Sequence, residues 1–176
     1  WQGGATSIAA GQYAVILDPD YDGAYDIATG ALWLTVASSS TLGNGLAVND
    51  PISLLDPSGY VLIDTYTHTL NGGNGISSEK VEATIGDIAP NFTASTCLDG
   101  HSAGRINCAT LDGTNPISGA TLAIMEVMAN PIDEDQDEFI ELLNYGLESI
   151  DLTGFRISDG DREEPLVGFG GGATVL

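Results

Sequence analysis

Residues 51–66 read PISLLDPSGYVLIDTY, two apolar runs on either side of a short polar segment. Proline is favoured at the second position of a β-turn and glycine at its last, so Asp56-Pro57-Ser58-Gly59 is expected to reverse the chain. The flanking runs are short and rich in aliphatic, β-branched and aromatic residues, which is typical of strands. Residues 51–66 therefore predict a β-hairpin.

The same pattern of short apolar runs between turn residues recurs along the chain. Further strands are predicted at residues 13–17, 31–36, 78–84, 121–128, 138–144 and 155–158. Residues 138–143 have helical propensity, but Asn144-Tyr145-Gly146 ends the run early, and we interpret it as a strand. Segment 78–84 alternates polar and apolar residues, which predicts a half-exposed strand. Many short strands with regular turns indicate an all-β sandwich or barrel.

The charge of the chain is almost entirely negative. It carries 25 acidic residues against four basic ones, Lys80, Arg105, Arg156 and Arg162, and its formal net charge is −21. Phosphate groups would repel such a chain, which argues against nucleic acids and anionic membranes as partners. A hydrophobic content of 43% argues against disorder, and no apolar run is long enough to predict a membrane span. The surplus charge must be diluted over the surface, screened by salt or neutralised by cations.

Three clusters of carboxylates stand in turn-like segments and are candidates for calcium binding. In the first, Asp18-Pro19-Asp20-Tyr21-Asp22-Gly23, alternate acids precede a glycine, as they do where a calcium loop begins. An EF-hand itself is not expected, because Thr29 stands where that motif places its last Glu and no flanking helices are predicted. A solvated acidic turn is the alternative for each cluster. The candidate calcium ligands are Asp18, Asp20, Asp22, Asp26, Asp133, Asp135, Asp137, Asp159 and Asp161.

Cys97 and Cys108 are the only cysteines, and we interpret them as a disulfide that closes a short loop. Two free thiols in a reducing compartment are the alternative, and a zinc site that included His101 would lack ligands. The triplet Asn91-Phe92-Thr93 makes Asn91 a candidate glycosylation site, in agreement with an extracellular location. His68 and His101 are expected to be exposed.

Two groups of motifs point to one family. Residues 124–131 (IMEVMANP), 137–144 (DEFIELLN) and 150–159 resemble the opening strands of microbial, extracellular members of the lamin tail domain family. Residues 10–16, 42–64 and 75–80 are similar to its closing strands, although 104–107 lacks the usual Thr-Pro-Gly. The resemblance implies an immunoglobulin-like β-sandwich. It also implies that loops from different strands gather at one end, where two carboxylate clusters could share an ion.

These two groups of motifs stand in reversed order along the chain. The closing half occupies residues 1–108, a linker rich in small residues, Gly and Pro occupies 109–120, and the opening half occupies 121–176. A circular permutant, a window cut from a tandem array, and subunits whose halves complete their neighbours all fit this order. Residues 3–6 (GGAT) recur at 171–174, which also fits all three. We favour an array or filament, because unpaired halves would expose strand edges and associate head-to-tail.

These features predict a structural function and not an enzyme. No G-x-S-x-G, H-E-x-x-H or P-loop motif is present, and the carboxylates lie in turn-like runs unlike a glycosidase pair. We expect an extracellular or cell-surface structural protein, a repeat unit or subunit of a calcium-stabilised filament or array, whose partners are copies of itself or adjacent repeats. The alternative is a monomeric adhesive or carbohydrate-binding module, with Tyr21, Tyr25 and Trp33 as sugar-stacking candidates; Trp33 is also a candidate core residue.

Overall fold

The computed structural model describes residues 4–37, 40–43, 45–67, 72–110, 121–133 and 136–170. Its strands are β1 (Ser7–Ile8), β2 (Tyr13–Leu17), β3 (Leu32–Val36), β4 (Ile52–Leu55), β5 (Leu62–Tyr66), β6 (Ser78–Lys80), β7 (Phe92–Ala94), β8 (Leu122–Met128), β9 (Phe139–Asn144), β10 (Ile150–Asp151), β11 (Arg156–Ser158) and β12 (Glu163–Gly168). Among the described residues, the helical structure is one 3-10 turn, Ala89–Asn91. None of the helical structure in these ranges is long and apolar enough to cross a membrane.

Ten of these strands form one sheet that curls around a common core. Its order is β5-β4-β11-β12-β3-β2-β9-β8-β6-β7, and β1 pairs separately with β10. Sheet neighbours are antiparallel except β2 and β3, which run parallel. The predicted hairpin is confirmed, because β4 and β5 pair antiparallel across the turn. The all-β, sandwich-like fold class is therefore confirmed.

Strands from the two halves of the chain are interleaved in this sheet. β8 and β9 lie between β2 and β6, and β11 and β12 lie between β4 and β3. Residues 121–170 thus complete the sheet of residues 4–110 within one chain, as in a circular permutant. The expected exchange of halves between neighbours is not needed to fill either half. Residues 111–120 of the linker and the repeated 171–174 lie outside the described residues.

The main core lies inside the curled sheet, where Ile16, Ile124 and Leu142 are fully buried. The opposite face of the central strands is covered as well, by loops that contribute to a second cluster. That cluster comprises Val15, Leu17, Tyr21, Ile27, Ala103, Met128 and Phe139. Burial on both faces explains why β8 and β9 are nearly continuous apolar runs and do not alternate.

The two ends of the sheet are joined by a buried ion pair. Asp64 lies in the edge strand β5, and Lys80 lies in β6, beside the opposite edge. Nζ of Lys80 donates to Oδ2 of Asp64 at 2.7 Å, and their side chains are 1% and 13% exposed. The same oxygen accepts a hydrogen bond of 2.8 Å from the backbone N–H of Ile124 in β8. Tyr66 packs edge-on against Phe92 with ring centroids 5.0 Å apart. We call these contacts the seam.

Two predictions of exposure are wrong because loops fold over the sheet. The predicted strand at 78–84 ends at Lys80, and Ser78–Lys80 is buried throughout. His101 is 8% exposed and packs against the ring of Tyr25, with centroids 4.5 Å apart. His68 lies outside the described residues.

Asn91 is a buried structural residue, and its prediction as a glycosylation site is wrong for this fold. The residue is 4% exposed. Its Nδ2, the atom that would carry a glycan, donates hydrogen bonds to the carbonyl oxygens of Glu82 and Ile85 at 3.0 and 2.9 Å. A sugar on this nitrogen would break both bonds and would have no space.

We expect the seam to contribute strongly to the free energy of unfolding. Asp64→Asn leaves Lys80 as an uncompensated buried cation, which costs about 3–5 kcal/mol in buried pairs. Lys80→Met removes the same interaction from the other side. The double variant should therefore lose less stability in urea unfolding than the two single losses added together.

The matched control is Arg156→Met, which breaks the more exposed pair of Arg156 with Glu163, 3.3 Å apart. It should change the free energy of unfolding by less than about 1 kcal/mol. Equal losses for Lys80→Met and Arg156→Met would contradict a special role for the seam.

Candidate functional site

The structure brings the three carboxylate clusters to one end of the sheet. β2 ends at Leu17 and β9 begins at Phe139, and these residues are partners in antiparallel register. The loops that carry Asp18 and Asp137 therefore lie side by side. Asp159 reaches them from the β11–β12 turn, where its carboxylate packs against Gly43. We call Asp18, Asp22, Asp133, Asp137, Glu138, Asp159 and Glu164 the acidic end.

Three of these carboxylates hold a single loop by its backbone. The pairs are Leu42 N–H with Asp18 Oδ2 at 3.2 Å, Gly43 N–H with Glu164 Oε2 at 3.1 Å, and Leu46 N–H with Glu138 Oε1 at 2.7 Å. All three acidic side chains are buried. Gly43 has a φ of 61°, and a Cβ there would collide with the Asp159 carboxylate, so the loop requires glycine at this position.

Sequence reasoning missed Glu138 and Glu164. Glu138 is the last residue of the acidic cluster at 133–138, of which only the aspartates were predicted as ligands, so a usable signal existed. Glu164 lies inside β12, and its link to the loop becomes visible only when Gly43 is placed beside it.

Asp137 is a member of the acidic end whose carboxylate is buried without an ion pair among the described residues. It is 6% exposed, and its Oδ1 is buried without a hydrogen-bond partner among the described residues. Burial raises the pKa of Asp137, and the charges of Asp22, Asp133 and Asp18 raise it further. Neither Asp137 nor Asp18 forms an ion pair with a described residue. A carboxylate in this position either keeps a proton or is compensated by a cation.

A neighbouring tyrosine fixes the backbone of Asp137. Oη of Tyr25 donates to the carbonyl oxygen of Asp137 at 2.7 Å. Burial raises the pKa of the Tyr25 phenol, and the charge of Asp137 adds to the rise, so Tyr25 remains a neutral donor. Burial also raises the pKa of Asp18, while hydrogen bonds from the backbone of Asp20 and Leu42 oppose that rise.

The acidic end offers oxygen ligands from separate loops, which suits a hard cation. Calcium takes six to eight oxygens in a flexible geometry, whereas transition metals prefer nitrogen or sulfur. Asp137, through its unpartnered Oδ1, is the candidate ligand, and Asp18, Asp22 and Asp133 lie close enough to raise its pKa. Among the described residues, no three ligand atoms of these carboxylates lie within 4.8 Å of one another, so an ion would have to draw the side chains together. Binding of a cation would offset the mutual repulsion of these carboxylates, because each of them would be attracted to the ion.

The remaining predicted ligands have other surroundings. Asp26 is exposed and pairs with Arg105 at 3.5 Å. Asp20 and Asp161 are exposed turn residues, and their backbone N–H groups donate to Asp18 and Asp159. These three match the alternative of a solvated acidic turn. Asp135 lies outside the described residues.

Similarity to known proteins does not identify this site. No family model matches the chain, and no similar curated protein or solved structure is found. The resemblance to the lamin tail domain family stays a hypothesis, and the function has to be inferred from the geometry.

A second carboxylate group, which sequence reasoning also missed, lies beneath the disulfide loop. Cys97 and Cys108 are joined, with their Cα atoms 5.5 Å apart. The loop that they close covers Glu79, Glu126 and Glu141, each of them 0% exposed. A usable signal exists here too, because Glu126 and Glu141 each stand between apolar residues inside a strand.

The disulfide loop and the residue after it supply hydrogen-bond donors to these buried glutamates. Ser102 donates to Glu126 from its N–H at 2.9 Å and from its Oγ at 2.8 Å. Ala109 N–H donates to Glu79 at 2.7 Å. Ligand atoms of Glu79 and the two cysteines lie within 4.8 Å of one another, but disulfide sulfurs are not the thiolates that bind metals. The glutamates therefore form a hydrogen-bonded group under the loop, without thiolate ligands for a metal.

Burial raises the pKa of Glu126 to about 7, and hydrogen bonds from Ser77 and Ser102 limit the rise. Burial also raises the pKa of Glu141, and the charge of Glu126 adds to it. Because burial favours the neutral form, the folded protein takes up protons here that the unfolded chain releases.

The free energy of unfolding should therefore fall as the pH rises from 5 to 8. Protonated Glu126 contributes to the free energy of unfolding. This contribution is complete below the pKa of 4.5 in the unfolded chain and is lost as the pH rises through about 7, the pKa in the folded protein. Urea unfolding from pH 5 to pH 8 should show a loss on the order of 2–3 kcal/mol.

Glu126→Gln imitates the protonated side chain and should flatten this pH dependence. Glu148→Gln, at an exposed position, is the control and should leave the slope unchanged. An undiminished slope in Glu126→Gln would show that Glu126 is not the titrating group.

Proposed function

We propose that this chain is a calcium-stabilised structural module of an extracellular or cell-surface assembly, with copies of itself or adjacent repeats as partners. The observation that carries the proposal is the buried, unpartnered Oδ1 of Asp137 beside Asp18, Asp22 and Asp133. Without a cation, repulsion among these carboxylates destabilises the folded protein. A bound cation would link the loops that carry them, which come from separate parts of the chain.

Calcium is the cation that best satisfies this arrangement. The candidate ligands are carboxylates, which are hard donors, and they come from loops that can adapt to an irregular shell of six to eight oxygens. Extracellular calcium modules commonly bind at about 0.1–1 mM, an affinity that suits calcium-rich surroundings. An ion here would connect the end of β2 to the start of β9 and indirectly fix the 41–46 loop through Asp18.

The disulfide supports an extracellular location, and the net charge bears on assembly. The chain carries a disulfide, and disulfides persist mainly in oxidising compartments. A net charge of −21 keeps copies apart until cations or salt reduce the repulsion, so calcium could control both folding and assembly.

In this proposal each chain forms a complete sheet by itself and needs no strand from a neighbour. The two halves complete one sheet within the chain, so partners would contact one another through outer surfaces and would not exchange halves. This replaces the route of assembly that the reversed order of motifs suggested, while the expected partners remain the same.

A carbohydrate-binding module is the less supported candidate. Tyr21 stacks on Tyr25 with centroids 5.9 Å apart and meets Trp33 edge-on at 6.2 Å. These rings pack against one another, and Tyr21 is 8% exposed. Their arrangement serves the second hydrophobic cluster better than it serves a sugar-stacking platform.

Thermal unfolding in calcium and in EDTA tests the proposal at matched ionic strength. Calcium at a hundredfold excess over its dissociation constant should raise the melting temperature by about 5–10 °C. Asp137→Asn should remove this increase, and it should melt higher than the wild type in EDTA because it removes a repelling charge.

Asp99→Asn is the matched control, since Asp99 is exposed in a different loop. This variant should keep the full calcium effect. If calcium and EDTA give the wild type the same melting temperature, no stabilising calcium site exists.

A further inference from the structure

The end of the β4–β5 hairpin presents four consecutive apolar residues to solvent. Tyr60 is 92% exposed, Val61 and Leu62 are each 54% exposed, and Ile63 is 36% exposed. Large apolar side chains exposed singly are common, but a contiguous group of this kind usually marks an interaction surface. We call residues 60–63 the apolar tip.

The apolar tip is held in shape by its own turn. Oδ1 of Asp56 accepts hydrogen bonds from Ser58 Oγ at 2.6 Å and from Val61 N–H at 3.1 Å. Gly59 has a φ of 75°, a conformation that favours glycine and closes the turn. A surface that is already ordered loses little conformational entropy when it binds a partner.

The tip consists of the two residues before β5 and the first two residues of that strand, which lies at the edge of the sheet. Among the described strands, β5 pairs with β4 alone. The seam covers its far end, from Asp64 to Tyr66, and leaves the tip beyond the closed part of the sheet. Exposed apolar edge strands tend to associate with other edges, and natural proteins usually protect them with charge.

No such protective charge stands within the tip, and most charges beside it are paired; the exception is Asp56, whose carboxylate accepts hydrogen bonds from Ser58 and Val61. Asp64, directly after the tip, is neutralised by Lys80. Arg156 and Glu163 pair with each other and lie beside Gly59, the residue directly before the tip. A Cβ at Gly59 would stand 3.4 Å from Cδ of Arg156 and 3.5 Å from Oε2 of Glu163. Two of the four basic residues of the chain therefore flank this strand. Two copies with a charge of −21 would meet less repulsion here, where most of the local charge is paired, than across a surface of uncompensated carboxylates.

We propose that the apolar tip is the surface through which two copies of this chain associate, tip against tip. A two-fold contact brings the same residues of both copies together, so an uncharged apolar strand is complementary to itself. This inference rests on the proposed function in one respect, that copies of the chain are its partners. It does not depend on calcium binding at Asp137.

Sedimentation velocity of the full chain in about 0.15 M salt with calcium tests the contact. Over roughly 1–100 µM, the wild type should shift from monomer towards dimer. Leu62→Asp places a charge in the contact, and Tyr60→Ser removes its most exposed ring. Each should weaken association by at least about tenfold.

Leu98→Asp is the matched control, because Leu98 is fully exposed on the disulfide loop, away from the tip. It should associate as the wild type does. Tyr60→Ser is not expected to disturb the fold, because a side chain so exposed contributes little to the core. Circular dichroism checks the fold of each variant.

The possible results separate this inference from the proposed function. A wild type that stays monomeric overturns the apolar tip as a contact and also removes self-association from the proposed function. Association that survives in Leu62→Asp and Tyr60→Ser overturns the tip alone and leaves self-association standing. A tip-dependent dimer whose melting temperature ignores calcium supports the tip and refutes the calcium site.

Discussion

The fold depends on one buried ion pair, which closes a ten-stranded sheet on itself. Asp64 of the edge strand β5 accepts hydrogen bonds from Lys80 in β6 and from Ile124 in β8, so one carboxylate oxygen joins strands that the sheet order places far apart. Lys80 is the only lysine of the chain, and it is fully buried. Its ammonium also lies 5.4 Å from the centroid of the Phe92 ring. The seam joins the two ends of the sheet that surrounds the main core.

Since the chain has four basic residues, most buried carboxylates must be stabilised in another way. Asp18, Glu138 and Glu164 accept backbone N–H groups of the 41–46 loop. Glu126 is buried among serine donors under the disulfide loop and keeps a proton to a higher pH. Oδ1 of Asp137 accepts no hydrogen bond, either from a backbone N–H or from a side chain, among the described residues. This shortage of compensating charge links the folding problem of the chain to its proposed calcium dependence.

Local chemistry made part of the fold predictable from the sequence. The 51–66 hairpin follows from turn residues and apolar runs that are adjacent in the chain, and the structure has it. Burial in loops was not predictable, because it depends on contacts between distant segments. His101 and Asn91 looked like surface residues in polar stretches, yet one packs under Tyr25 and the other bonds to the backbone of residues 82 and 85. The positions of Asp18, Asp137 and Asp159 at one end were expected from the family resemblance. Glu164 gave no signal, whereas Glu126 and Glu141 gave one, as acids between apolar residues inside a strand.

Crystals grown in calcium give the most direct test of the central claim, that a cation compensates the carboxylates of the acidic end. Anomalous scattering should place a calcium ion about 2.3–2.6 Å from Oδ1 of Asp137, with further oxygens from Asp18, Asp22 or Asp133 in its shell. The account would be contradicted by a fully defined acidic end that contains no ion in saturating calcium, with Asp137 protonated or hydrogen-bonded to water instead.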